Sequence, residues 1–276
     1  MESLNSCCFR FCNGFNWADA LRISVAKTVP LQFANYAYGG ATACANPTYE
    51  KLYPFVKNLT SQVAAFAEDI QKNKIRLANT STLALQYIGS EDVMFFFRSA
   101  AEANATVTPE ALAALVSRVV TCRVQGTAAL AAIPGVTSIG ILPISPLHLA
   151  PAVPEVMKPQ LLAVQALFAN ATAAAMADLN AQLAAAGSTV KVYVLGPSSW
   201  IANVVNRIYP SFAFLDEPCF WYPGSMLNLT AAAGMRSCKA PQNFLFYDQL
   251  HPTTRFHDWF ATKTLLPRLQ TLGLLP

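Results

Sequence analysis

Apolar positions along the chain alternate between spacing of three or four residues and spacing of one or two. Trp17, Ala20, Leu21 and Val25 recur at helical intervals, predicting a helix from Asn16 to about Lys27. Leu31 to Tyr38 then reads as a strand ending at Gly39-Gly40. Helical spacing returns from Thr48 to Lys74, and Leu83 to Ile88 is a short apolar strand closed by Gly89. Thr108-Pro109-Glu110 supplies an N-cap, a first-turn proline and a first-turn acid, so a helix starts there and runs towards Ala132, where Pro134-Gly135 ends it. Ser138 to Leu142 reads as a buried strand, Glu155 to Ala186 as a long Ala-rich helix stopped by Gly187, and Val190 to Leu195 as a strand. Ser199 to about Tyr209 looks helical. Phe244 to Tyr247 leads into an Asp248 loop, and Thr253 to Leu266 forms a closing helix with Phe256, Trp259, Phe260 and Leu265 inward.

Strands separated by helices imply right-handed crossovers and a parallel sheet covered on both faces, hence an α/β fold. In such folds chemistry gathers at the C-terminal ends of the strands. Gly39-Gly40, Gly89 to Asp92, Pro143 to His148 and Asp248 to His251 all follow strands or apolar segments and are expected to share one rim. The 276 residues suit one domain spanning 1–276, and a chain 54% apolar and 12% charged suits a compact core.

The net charge of +4 is spread thinly, with no basic run or aromatic-interleaved stripe, so nucleic acid is not an expected partner. A stretch free of charge between Arg123 and Glu155 resembles a membrane span in length, but Gly126, Pro134, Gly135, Pro143, Pro146, Pro151 and Pro154 punctuate it. No integral membrane segment is expected there. Asn-x-Ser/Thr sequons stand at Asn58, Asn79, Asn104, Asn170 and Asn228, against about two expected by chance, which points to secretion. The segment from Met1 to Cys8 nevertheless has neither the basic nor the apolar region of a signal peptide. Of seven cysteines, Cys219 and Cys238 are the best disulfide candidates, the alternative being two buried thiols. Cys7, Cys8 and Cys12 lack zinc-site spacing and a nearby His.

Asp248-Gln249-Leu250-His251-Pro252 places a carboxylate three residues before an imidazole. The Asp can fix the ring tautomer so that the other nitrogen takes a proton from a nucleophile. By spacing alone this is also a common solvated helix start. Asp248 to Thr253 resembles the last conserved block of the GDSL-type (SGNH) esterases and lipases. Asn35-Tyr36-Ala37-Tyr38-Gly39-Gly40-Ala41-Thr42 resembles their second block, particularly in the plant-type branch. Phe11 to Leu21 and Ile141 to Leu147 are similar to further segments of that family. The resemblance implies a three-layer α/β/α sandwich with a flavodoxin-like parallel sheet. It also implies hydrolysis of a lipid, glycan or small-molecule ester through a Ser-His-Asp triad without a cofactor. It assigns Asp248 and His251 as catalytic and Gly40, with Gly39 the near alternative, as oxyanion hole, where a missing side chain lets the backbone approach closely.

Two motifs depart from the family pattern. Ile88-Gly89-Ser90-Glu91-Asp92 puts Glu91 where the family has an Asn donor to the oxyanion, and an ionised carboxylate cannot donate. No Gly-Asp-Ser occurs, and Met1-Glu2-Ser3-Leu4 is only a faint echo of it, with Ser3 at the nucleophile position. The expectations are therefore a domain truncated at its N-terminus, with its first strand and nucleophile upstream, or an inactive relative that binds an acyl or glycan ligand. Either way the chain as written should hydrolyse a short nitrophenyl ester negligibly. His148 is expected at the pocket rim, and His257 in a structural role.

Overall fold

The first helix, α1 (Trp17–Val25), begins with a reciprocal cap. Asn16 Oδ1 accepts from the amides of Ala18 and Asp19, and Asp19 Oδ2 accepts the Asn16 amide at 3.1 Å. The computed structural model describes residues 11–77, 81–196, 211–222 and 234–276. Ser3, Cys7, Cys8 and the helix expected over Ser199 to Tyr209 lie outside them. The described chain falls into two compact units, one comprising residues up to 33, 146–162 and those after 201, the other 34–145 and 163–200.

The second unit holds α2 (Pro47–Leu52), α3 (Leu59–Gln71), β1 (Thr82–Gln86), α4 (Ser90–Glu102), α5 (Pro109–Ala131), β2 (Val136–Ile141), most of α6 (Lys158–Ala185) and β3 (Lys191–Val194). The three strands pair in parallel in the order β1-β2-β3, with Ala84, Ile139 and Val192 in register. Ile139 and Ile141 of the central strand are fully buried, as a parallel strand covered on both faces requires. The expected N-cap of α5 is present, the Thr108 hydroxyl accepting from the Ala111 amide at 3.3 Å. A Cβ on Gly126 would lie 2.4 Å from Leu59 Cδ2, so this glycine permits the close packing of α3 against α5. A disulfide joins Cys44 to Cys122 of α5. The fully buried Arg123 donates from Nη2 to the Leu142 carbonyl at 2.6 Å and from Nε to Gln86 Oε1, tying the ends of β1 and β2. Burial lowers its pKa to about 10, against the pull of Asp92 and Tyr87.

The strand expected over Leu31 to Tyr38 is absent. That segment pairs with no strand, Leu31, Phe33 and Tyr38 are exposed, and the Asn35 side chain takes the Ala37 amide in a local turn. The alternation was real but had no partner edge to satisfy, and Asx turns compete with ladder bonding. The helical spacing over Thr48 to Lys74 corresponds to two helices, α2 and α3, with Pro54 in the loop between them.

The charge-free stretch after Arg123 divides into the end of α5, β2 and the short 3-10 turn Leu147–Leu149. Residues 155–185, which include α6, form the one helical segment among the described residues long and apolar enough to cross a membrane by length and composition. Val164, Phe168, Met176 and Leu179 are buried along it.

In the first unit β4 (Phe214–Pro218) pairs in parallel with β7 (Phe244–Phe246), and β5 (Phe220–Trp221) pairs antiparallel with β6 (Arg236–Ser237). The expected Cys219–Cys238 disulfide is formed beside the second pair. The closing helix continues past Leu266 as α7 (Thr254–Trp259), a π-helical segment (Phe260–Leu265) and α8 (Leu266–Thr271). Pro267 explains the break: it has no amide to donate, and its ring crowds the carbonyl four residues back. Trp17 meets Phe260 edge-on at 6.4 Å, packing α1 against this segment.

Candidate active site

The residues expected to carry chemistry fall in both units. Asp248 and His251 share the first and are in direct contact; Gly40 and Glu91 share the second.

After β7 the chain turns back on itself. The Tyr247 amide donates to the His251 carbonyl at 2.8 Å, Phe246 forms a bridge with Pro252, and the Thr253 amide donates to Leu245 at 2.9 Å. Inside this turn Asp248 Oδ1 accepts the amides of Leu250 and His251 at 2.8 and 2.7 Å. The carboxylate is thus aimed before the imidazole meets it, with His251 Nδ1 2.9 Å from Oδ2 and 3.1 Å from Oδ1. The Asp248 side chain is 2% exposed and the His251 ring 29% exposed, so the pair presents one wet edge and one dry support. Nε2 has no hydrogen-bond partner among the described residues. Phe11 stacks on the imidazole at 4.9 Å and 13°, restricting ring rotation.

Neighbouring groups fix the turn. The Thr253 hydroxyl donates to the Phe244 carbonyl at 2.9 Å instead of capping α7. The cap comes from Asn13, whose Oδ1 accepts the Thr254 amide at 2.8 Å. Gln249 bonds the Tyr222 carbonyl through Nε2 and, through its own carbonyl, the Ala152 amide. Burial, with the Asp248 carboxylate nearby, pushes the Tyr222 hydroxyl up to about 12. His257 lies in α7 with its Nδ1 buried and without a hydrogen bond, and burial, reinforced by His251, lowers its pKa to about 4. It packs as a neutral ring. His148 stands in the 3-10 turn Leu147–Leu149.

In the second unit, three of the four loops expected on one rim do meet. Leu142 continues the ladder from Gln86, the Ser145 amide donates to Ser90 Oγ at 3.0 Å, and Tyr87 shares a 2.8 Å hydrogen bond with Ser145 Oγ. Buried Asp92 accepts the amides of Ala43 and Cys44 at 2.7 and 3.4 Å, holding the glycine loop at the end of β1. Burial raises the Asp92 pKa, opposed by these two amides.

Gly40 sits in the turn with φ +77°, a left-handed value that favours glycine. Its carbonyl accepts from the Tyr49 hydroxyl at 2.5 Å, and its amide donates to none of the described residues. Glu91, in the first turn of α4, lies within hydrogen-bonding reach of the same hydroxyl and 3.4 Å from Arg98. Burial, then the Glu91 charge, raises the Tyr49 pKa. Tyr49, Arg123 and the Cys44–Cys122 disulfide carry no local motif, and sequence reasoning did not find them.

Among the described residues no cluster of His, Cys, Asp or Glu forms a metal site. No curated protein sequence matches closely enough to count as a relative. The profile of the family described as GDSL-like Lipase/Acylhydrolase matches residues 10–264, nearly the whole chain and both units. The chain therefore belongs to the GDSL-like lipase/acylhydrolase family, ester hydrolases of the SGNH α/β fold, in which its parallel β1-β2-β3 sheet finds its place.

Proposed function

We propose that the protein hydrolyses carboxylic esters through a Ser-His-Asp triad in which His251 is base and then acid, and Asp248 holds its Nδ1. The observation that carries this reading is the buried Asp248 carboxylate, bonded to two amides and to His251 Nδ1, with Nε2 bonded to none of the described residues and the ring 29% exposed. Such an arrangement sets the tautomer with Nε2 as acceptor and stabilises the imidazolium that follows proton transfer. The unengaged Gly40 amide supports its role as an oxyanion donor. Two disulfides and the excess of sequons support a secreted, glycosylated protein.

A second reading, an inactive relative that binds an acyl or glycan ligand, is favoured by Glu91. An ionised carboxylate beside Gly40 repels the charge that an oxyanion hole must stabilise.

A fluorophosphonate probe separates the two readings, because it captures only an activated serine. Labelling of a single serine, lost in His251→Ala, supports the triad and identifies the nucleophile; mapping to Ser3 would place it there. No labelling and no turnover of a nitrophenyl ester would overturn the triad reading, and binding of a fatty acid or oligosaccharide by that inactive protein would then support the second.

A further inference from the structure

The segment that follows the Gly40 turn exposes its largest apolar side chains. Helix α2 carries Tyr49 and ends at Leu52, and the loop Tyr53-Pro54-Phe55-Val56 leads towards α3. Leu52 is 59% exposed and Phe55 71% exposed. Isolated exposed side chains need no explanation, but this pair projects from a fixed loop. Tyr53 packs against Tyr49 with ring centres 4.7 Å apart, and the Val56 amide donates to the Tyr53 carbonyl at 3.0 Å. Asn58 Nδ2 donates to Glu50 Oε1 at 2.8 Å, closing the base of the loop.

Charge around this ridge is one-sided. Lys51 and Lys57 flank it, both exposed, and neither pairs with a carboxylate among the described residues. Glu50 is the one acidic residue between positions 45 and 67, and Asn58 engages it. An apolar tip between two free ammonium groups complements a surface with an acyl interior beneath an anionic layer.

We infer that Lys51–Lys57 is an interfacial docking loop that inserts Leu52 and Phe55 into an anionic lipid surface. The substrate class is then an acyl ester presented at that surface, next to Gly40 through the Tyr49 hydroxyl. That assignment of substrate rests on the esterase reading above; the docking itself does not.

The test is co-sedimentation of the full chain with vesicles of phosphatidylcholine alone or mixed with phosphatidylglycerol. Binding to the mixed vesicles, weakened by salt, is expected. Phe55→Asp should reduce it at least roughly tenfold, and Lys51→Glu or Lys57→Glu about fivefold or more each. Val156→Asp, at an equally exposed apolar position outside the loop, should leave binding unchanged. All four positions are exposed, so circular dichroism should match the parent. Failure to sediment with either vesicle, or binding indifferent to Phe55→Asp, would overturn the inference, and capture by a soluble protein in place of vesicles would do the same. His251→Ala should bind vesicles normally. Loss of binding with soluble-ester turnover intact therefore indicts the loop, and the converse indicts the triad.

Discussion

The Tyr49 hydroxyl donates to the Gly40 carbonyl at 2.5 Å, so the backbone of the proposed oxyanion glycine is held from its acceptor side while its amide stays unengaged. The bond pins the Gly40–Ala41 peptide plane, and the Gly40 N–H, in the preceding plane, is set relative to it by the left-handed φ of +77°. Tyr49→Phe keeps the ring packing on Tyr53 and Phe95 and removes only the hydroxyl. The expected loss of stability is about 1 kcal/mol by urea denaturation, with kcat for ester hydrolysis falling about tenfold and KM unchanged. A fall in KM alone would remove Tyr49 from this positioning role.

Glu91→Asn should raise turnover. The change replaces a carboxylate with an amide donor beside Gly40 and severs the contact with Arg98. One oxyanion donor is worth on the order of a hundredfold in kcat, so nitrophenyl acetate hydrolysis should rise by about one to two orders of magnitude. An unchanged rate in a variant that folds normally would mean that position 91 does not face the reacting centre.

Acid should destabilise the fold through His257. Its folded pKa of about 4 lies below the unfolded value near 6.5, so between those values the unfolded chain binds the extra proton. This contribution is complete above pH 6.5 and is lost as pH falls towards about 4, by at most roughly 3 kcal/mol. Denaturant midpoints at pH 7 and pH 5 measure it, and His257→Leu should flatten the difference.

The two disulfides should differ in worth. Cys44–Cys122 closes a separation of 78 residues and Cys219–Cys238 one of 19. Loop-closure entropy assigns them about 4.5 and about 3 kcal/mol. Serine replacement of the first pair should lower the melting temperature more than replacement of the second; the reverse order would mean that native contacts, not chain entropy, dominate.

Three described sequons differ in geometry, and secretion as proposed would make the difference visible. Asn104 is exposed in a left-handed turn after α4, φ +50°, and Thr106 is exposed too. Asn58 is engaged at both ends of its amide, and Thr172 of the Asn170 sequon is buried within α6. Expression in a eukaryotic secretory host should give a glycan at Asn104. Endoglycosidase treatment would then shift the mass of the parent by one more glycan than that of Asn104→Gln. No difference between the two would refute the assignment.

Local chemistry was legible in the sequence and distant pairing was not. Thr108 as a cap and Pro109 in the first turn of α5 announce a helix start, because the cap needs only neighbours a few residues away. Asp248 and His251 are readable for the same reason, since one turn holds both. Leu31 to Tyr38 misled because alternation specifies a strand only when another edge is there to pair with it. Arg123, a long charged residue, is buried because Gln86 and the Leu142 carbonyl accept from it, and neither is near it in the chain. The same distance hid Cys44–Cys122, whereas Cys219–Cys238 brackets a single loop.

The bond from the Thr254 amide to Asn13 spans 241 residues and caps the helix that follows His251. During synthesis, Asn13 leaves the ribosome long before Thr254 is made, so the contact cannot form until the chain has passed that residue. The cap on the helix after His251 thus forms only once a loop of some 241 residues has closed, at the entropic cost that such a separation carries. A nascent chain that has Asp248 and His251 but has not yet docked Asn13 would hold the pair by its own turn alone, with the following helix uncapped.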